Sequence, residues 1–296
     1  MALEEQLSAY VEYLRDMGIY DLYHRSDPKV FLPKSFVEEL SASRPPQVIE
    51  AQPGNQNVVL PKVHAAAPTP APVLQGSAEL NSPMTKPPSF DALAPLPSQM
   101  IPSADRAVAL ESVRAEIGDC KRCPLAYGGR HTIVFADGDP NARLMFVGEG
   151  PGADEDATGL PFVGKAGQLL NNMIVAMGLT REEVYIANIV KCRPPGNRTP
   201  EFVEATTCSQ FLVKQIDIVR PQVIVALGAT AATYLLGVKQ SLASLRGQWH
   251  TARGAKVIVT YHPAFLLRDP RQKAEAWKDL KLVMSEMGLA SPKRPS

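Results

Sequence analysis

The sequence predicts a three-layer α/β/α sandwich around a central, four-stranded parallel sheet. Three observations carry this reading. Four short apolar runs recur at 144–147, 184–190, 223–227 and 257–261. Stretches with helical periodicity separate them. Gly148, Lys191, Gly228 and His262 close the four runs. A strand that is apolar at nearly every position is covered on both faces, as parallel strands under helices are. Strands alternating with helices then give the sandwich.

Residues 1–41 form the first segment, with a helix expected over 3–24, where Leu3, Leu7, Val11 and Leu14 recur at helical spacing. This helix offers a possible docking face for a protein partner. From 42 to 103 the composition shifts, and thirteen of the 27 prolines fall between Pro45 and Pro102. Few charges and few large apolar side chains leave too little burial to offset the entropy of ordering, so a disordered linker is expected. The remaining residues, 104–296, form the expected catalytic domain. It opens with a helix at 105–118 that carries Leu110, Val113 and Ile117 on one face. Further helices are expected at 165–177, 201–219, 229–236 and 272–287, the last turning Trp277, Leu280 and Met284 inward.

Net charge is +1, so a nucleic-acid partner would need a local basic patch. No apolar stretch approaches the roughly 20 residues of a membrane span, and Glu4 and Glu5 stand where a secretory leader is basic. A cytoplasmic, monomeric protein is expected.

Open parallel sheets bind ligands outside the carboxyl ends of their strands. The first run ends in Gly148-Glu149-Gly150-Pro151-Gly152, the second carries Asn188 and runs into Lys191-Cys192-Arg193, and the fourth ends in His262-Pro263-Ala264. A carboxylate, an amide and an imidazole thus meet at one edge. These groups suit a hydrolysis with an anionic leaving group. Gly159 to Lys165 matches a phosphate loop until Ala166, where the magnesium-binding hydroxyl is missing.

All four cysteines are spaced as Cys120-x-x-Cys123, then Cys192, then Cys208 with fifteen residues between those two. The first pair suits one metal centre. The wide second pair is more natural for a 4Fe-4S cluster than for structural zinc, although spacing alone leaves both open.

From residue 120 to about 287 the chain resembles the family-four uracil-DNA glycosylases, the iron–sulfur branch of the uracil-DNA glycosylase superfamily. The likeness rests on Cys120-x-x-Cys123, Gly148-Glu149-Gly150-Pro151-Gly152, the run from Pro161 to Leu170, Asn188-Ile189-Val190-Lys191-Cys192-Arg193-Pro194-Pro195 and His262-Pro263-Ala264, in that order. It implies the same three-layer fold and a monofunctional enzyme. That enzyme hydrolyses the N-glycosidic bond of deoxyuridine in DNA and leaves an abasic site for base excision repair. Cys120, Cys123, Cys192 and Cys208 would hold a structural 4Fe-4S cluster. Glu149 would position water and stabilise the sugar cation, and His262 would stabilise charge on the leaving uracil. Gly148, Phe162 and Asn188 would bind uracil, with Phe162 stacking on it. Glu155 would exclude the thymine methyl. Leu266 would fill the gap left by the flipped base, and Arg193, Arg198 and Arg268 would contact DNA phosphates. The loop from Arg193 to Pro200 lacks the histidine with which some relatives trap uracil covalently, so turnover is expected. The competing readings are a non-catalytic iron–sulfur DNA-binding protein and a base glycosylase of broader specificity.

Overall fold

A computed structural model describes residues 86–289. The helix expected over 3–24 and most of the linker lie outside the described residues. Six strands are present: β1 (Asp137–Gly138), β2 (Leu144–Gly148), β3 (Tyr185–Asn188), β4 (Val223–Leu227), β5 (Trp249–Ala252) and β6 (Ala255–Thr260). The helices are α1 (Phe90–Leu93), α2 (Arg106–Ile117), α3 (Ala153–Thr158), α4 (Lys165–Ala176), α5 (Phe202–Val219), α6 (Ala229–Leu236), α7 (Leu242–Leu245), α8 (Pro263–Arg268) and α9 (Lys273–Met287).

The sheet order is β1-β3-β2-β4-β6-β5. The sheet therefore has six strands and not four. β3, β2, β4 and β6 run parallel, and β1 and β5 add antiparallel edges. Both edge strands escape a periodicity reading. β1 is only two residues long, and β5 places two polar residues between Trp249 and Ala252, with no continuous apolar run.

Alternate strand residues feed two separate cores, as the pleat requires. Met145, Val147, Ala187, Ala226 and Val259 pack with Leu110, Val113 and Ile117 of α2 and with α5 and α6. Leu144, Phe146, Ile186 and Val225 face the other way, against Leu170 and Ile174 of α4 and Leu280, Val283 and Met284 of α9. No described helix is long and apolar enough to cross a membrane.

The expected linker does not run to residue 103. Phe90 is fully buried in the core that holds α5 and α6. Arg253, buried and at φ 52°, donates to the carbonyls of Phe90, Ala94 and Pro95 and pairs with Asp217, while its amide donates to Asp91. One aromatic anchor and one buried guanidinium fold this stretch into the domain, which a proline count cannot foresee.

Candidate active site

β2 and β3 are in register so that Gly148 lies beside Asn188. The chain beyond these strand ends, with the segments after β4 and β6, walls a cleft of about 710 Å³. Glu149, Glu155, Phe162, Asn188, Arg198, His262 and Arg268 all line it. Lys165 and Gly164 of the incomplete phosphate loop line it too.

The floor depends on Gly148. A Cβ there would collide with both Asn188 Oδ1 and the Phe162 ring, so only glycine leaves room between them. Asn188 is 2% exposed, and its Oδ1 is the one buried side-chain polar atom among the described residues without a hydrogen-bond partner. Such an atom costs roughly 1–3 kcal/mol, which a ligand N–H would recover. Phe162 holds φ 53°, an unfavourable conformation for a bulky side chain. Its ring lies 5.6 Å from that of His262.

His262 caps α8, with Nδ1 accepting the Ala264 amide at 3.1 Å. The proton of the neutral ring therefore sits on Nε2. Burial, and then the nearby positive charge of Arg268, push its pKa down to about 4. Glu149 accepts a 2.5 Å hydrogen bond on Oε2 from the hydroxyl of Thr230. Thr230 sits in the first turn of α6, two residues past Gly228. Strand-end motifs do not mark it, because it lies beyond the glycine that closes the third apolar run.

Three expected contacts need correction. Glu155 lines the cleft, but its oxygens are taken: Oε2 accepts the Gly152 amide, and Oε1 accepts those of Val163 and Gly164. It braces two loops, and its carboxylate is not free to face a base. Leu266 is buried, because α8 turns it toward the protein, so it cannot enter DNA; the exposed side chain is its neighbour Leu267. Arg198 forms a two-pronged pair with buried Glu204 at 2.7 and 2.8 Å and also reaches Glu201. Burial pushes Glu204 up, but this fork and the Glu201 amide outweigh it and hold the carboxyl below its usual range. The Arg198 charge is thus paired with carboxylates of its own chain, although the side chain stays partly exposed. Arg193 and Arg268 form no ion pair among the described residues.

All four cysteines border one small second cavity. They are not arranged, alone or with other side chains among the described residues, to hold a single ion. Their sulfurs accept from donors already in place: Cys192 from Arg130 at 3.1 Å, Cys208 from the Lys191 amide at 3.3 Å, and Cys120 from Arg122 at 3.6 Å. Burial pushes the free Cys123 thiol up to about 11 and that of Cys208 up to about 12. Four thiolates here would need a compensating cationic centre. The donor set fits a group wider than one ion. Lys191, fully enclosed, links this cavity to the cleft. Its ammonium donates to the Asn188 carbonyl at 2.9 Å and to Gln215 at 2.6 Å.

Comparison with known proteins agrees with this architecture. The family model of the uracil DNA glycosylase superfamily matches residues 135–281. A type-4 uracil-DNA glycosylase of Thermotoga maritima is 48% identical over 164 residues, covering 54% of this chain and 84% of that protein. Type-4 uracil-DNA glycosylases of Sulfurisphaera tokodaii and Archaeoglobus fulgidus are 42% and 38% identical, each over 62% of this chain and over 87% and 96% of their own lengths. On these matches, the chain belongs to the type-4 branch of the uracil-DNA glycosylase superfamily.

Proposed function

We propose that this protein removes uracil from DNA by hydrolysing its N-glycosidic bond, with Glu149 and His262 as the catalytic pair. The observation that carries the assignment is the unpartnered Oδ1 of Asn188, which faces Phe162 across Gly148. A flat ring stacked on Phe162 and presenting an N–H to that oxygen satisfies it. Uracil has such a group at N3. Cytosine has a lone pair there and would leave the buried acceptor unpaired.

To reach this slot the nucleotide must leave the base stack, at a cost of a few kcal/mol. As the C1′–N1 bond breaks, its electron pair moves into the uracil ring and charge builds on O2. The Nε2–H of neutral His262 donates to that oxygen. The Glu149 carboxylate, held by Thr230, stabilises the oxocarbenium-like sugar and takes the proton of the attacking water. Arg193 and Arg268 hold phosphates. Leu267, exposed and next in sequence to Arg268, is the candidate wedge into the vacated stack. Cys120, Cys123, Cys192 and Cys208 would hold a 4Fe-4S cluster. When bound, that cluster supplies a covalent tie between the segment before β1, the chain after β3 and α5.

The test is excision from a labelled oligonucleotide containing one uracil, followed by alkaline cleavage. Wild type should cut at the uracil, and Glu149→Gln should be slower by about 10²- to 10⁴-fold. A Glu149→Gln rate near wild type would remove the carboxylate from the mechanism. Cys208→Ala should lose the visible absorption of the cluster, and an unchanged spectrum would refute the ligand assignment.

A further inference from the structure

Asn197, Gly228 and Phe162 of the cleft all adopt positive φ, but Phe162 is the one that does so with a bulky aromatic side chain, and something must hold it there. Arg181, in the turn between α4 and β3, reaches back across the fold to do so. Its Nη2 donates to the Pro161 carbonyl at 2.6 Å, and its Nη1 donates to the Phe162 carbonyl at 3.2 Å. These carbonyls belong to the two peptide planes that flank Phe162, and the angles between those planes and its Cα are φ and ψ. One guanidinium therefore sets both. The second plane is also held from its other end, where the Val163 amide donates to Glu155 at 2.9 Å. The guanidinium is fixed in turn. Its Nε donates to Asp137 on the sheet edge at 2.7 Å, and Nη1 donates to Asn171 of α4 at 2.9 Å. Gly167 leaves the space, since a Cβ there would overlap the Phe162 carbonyl.

We propose that Arg181 is a positioning residue for base recognition: it locks Phe162 in the strained conformation that aims its ring at the base slot. This rests on the reading of Phe162 as the stacking surface. Released from the clamp, Phe162 would relax toward negative φ, and its ring would swing away from Gly148. A lysine cannot replace the clamp, because one ammonium cannot bridge two carbonyls, an amide and a carboxylate in a plane.

The test compares Arg181→Met, Arg181→Lys, Phe162→Leu and the Arg181→Met/Phe162→Leu double variant. Two quantities are read at a temperature where each is folded: kcat/KM for uracil excision, and inhibition by free uracil. Arg181→Met should lower kcat/KM about 10- to 100-fold and weaken uracil inhibition in step. Arg181→Lys should recover thermal stability more than uracil affinity. The double variant should be little worse than Phe162→Leu, because the clamp acts through that ring. Full uracil affinity in Arg181→Met, or additive losses in the double variant, would overturn the proposal and leave Arg181 a merely structural residue. Unchanged uracil affinity in Phe162→Leu would instead overturn the stacking role itself, and the clamp with it.

Discussion

At the residue scale, the state of His262 is decided by two neighbours. The Ala264 amide occupies Nδ1, and enclosure together with Arg268 holds the pKa at about 4. The folded value lies below the ordinary one of about 6.5. Below about 6.5 the unfolded chain therefore takes up a proton that the folded chain refuses. The His262 contribution to stability is complete above that value and is lost as pH falls toward 4. In the proposed mechanism the neutral donor persists over the same range. We expect the His262-dependent part of kcat/KM to stay level from about pH 8 to 5 and to fall only as pH nears 4. A limb centred near 6.5 that vanishes in His262→Gln would show that the ring titrates as if in water. Removing the donor should itself slow excision by about 10²- to 10³-fold.

At the scale of elements, α5 is tied at its start by the Arg198–Glu204 fork, and it carries Cys208 about one turn further along its buried face.

 Arg198→Ala would leave a buried carboxylate without its partner. That should lower stability by about 2–3 kcal/mol, less than for a fully buried pair because Arg198 keeps one edge in water. Its effect on DNA binding should be small. A large loss of DNA affinity at unchanged thermal stability would restore Arg198 to the phosphate-binding surface. The elements themselves were legible because their signals are local: continuous apolar runs marked β2, β3, β4 and β6, and helical periodicity marked α2, α4, α5, α6 and α9. Short pieces such as α3 and α8 carry too few residues to show a period. The cleft was half legible. Glu149, Asn188 and His262 sit at strand ends, where topology alone directs attention. The contacts of Arg181 were not, because its guanidinium finds its partners through the fold, 19 and 20 residues away for the two carbonyls it clamps. The Arg198–Glu204 pair is only six residues apart but joins a loop to a helix start, which no single period links.

At the scale of the whole molecule, the near-zero net charge conceals where positive charge is free. Many cations are already paired internally, as Arg198, Arg246 and Arg253 are. Arg268 stands unpaired among the described residues, on the wall of the cleft. Binding to DNA weakens with salt in proportion to the phosphates contacted, by a slope of about 0.9 per contact in duplex. Arg268→Ala should reduce the slope of log affinity against log salt by about one such unit, whereas Arg198→Ala should leave it unchanged. Equal slopes for wild type and Arg268→Ala would take Arg268 off the DNA.

Asn188 and Cys192 are separated by only three residues, and the Lys191 ammonium ties that short span back to the Asn188 carbonyl. The residue proposed to read the base and a cysteine proposed to hold the cluster therefore share one short length of chain. In this arrangement durability and fidelity are not separate properties. Oxidation that loosens the cysteine cavity reaches Asn188 directly, so an ageing enzyme of this design should lose its preference for uracil over cytosine together with its activity, instead of lingering as a slower but still faithful one.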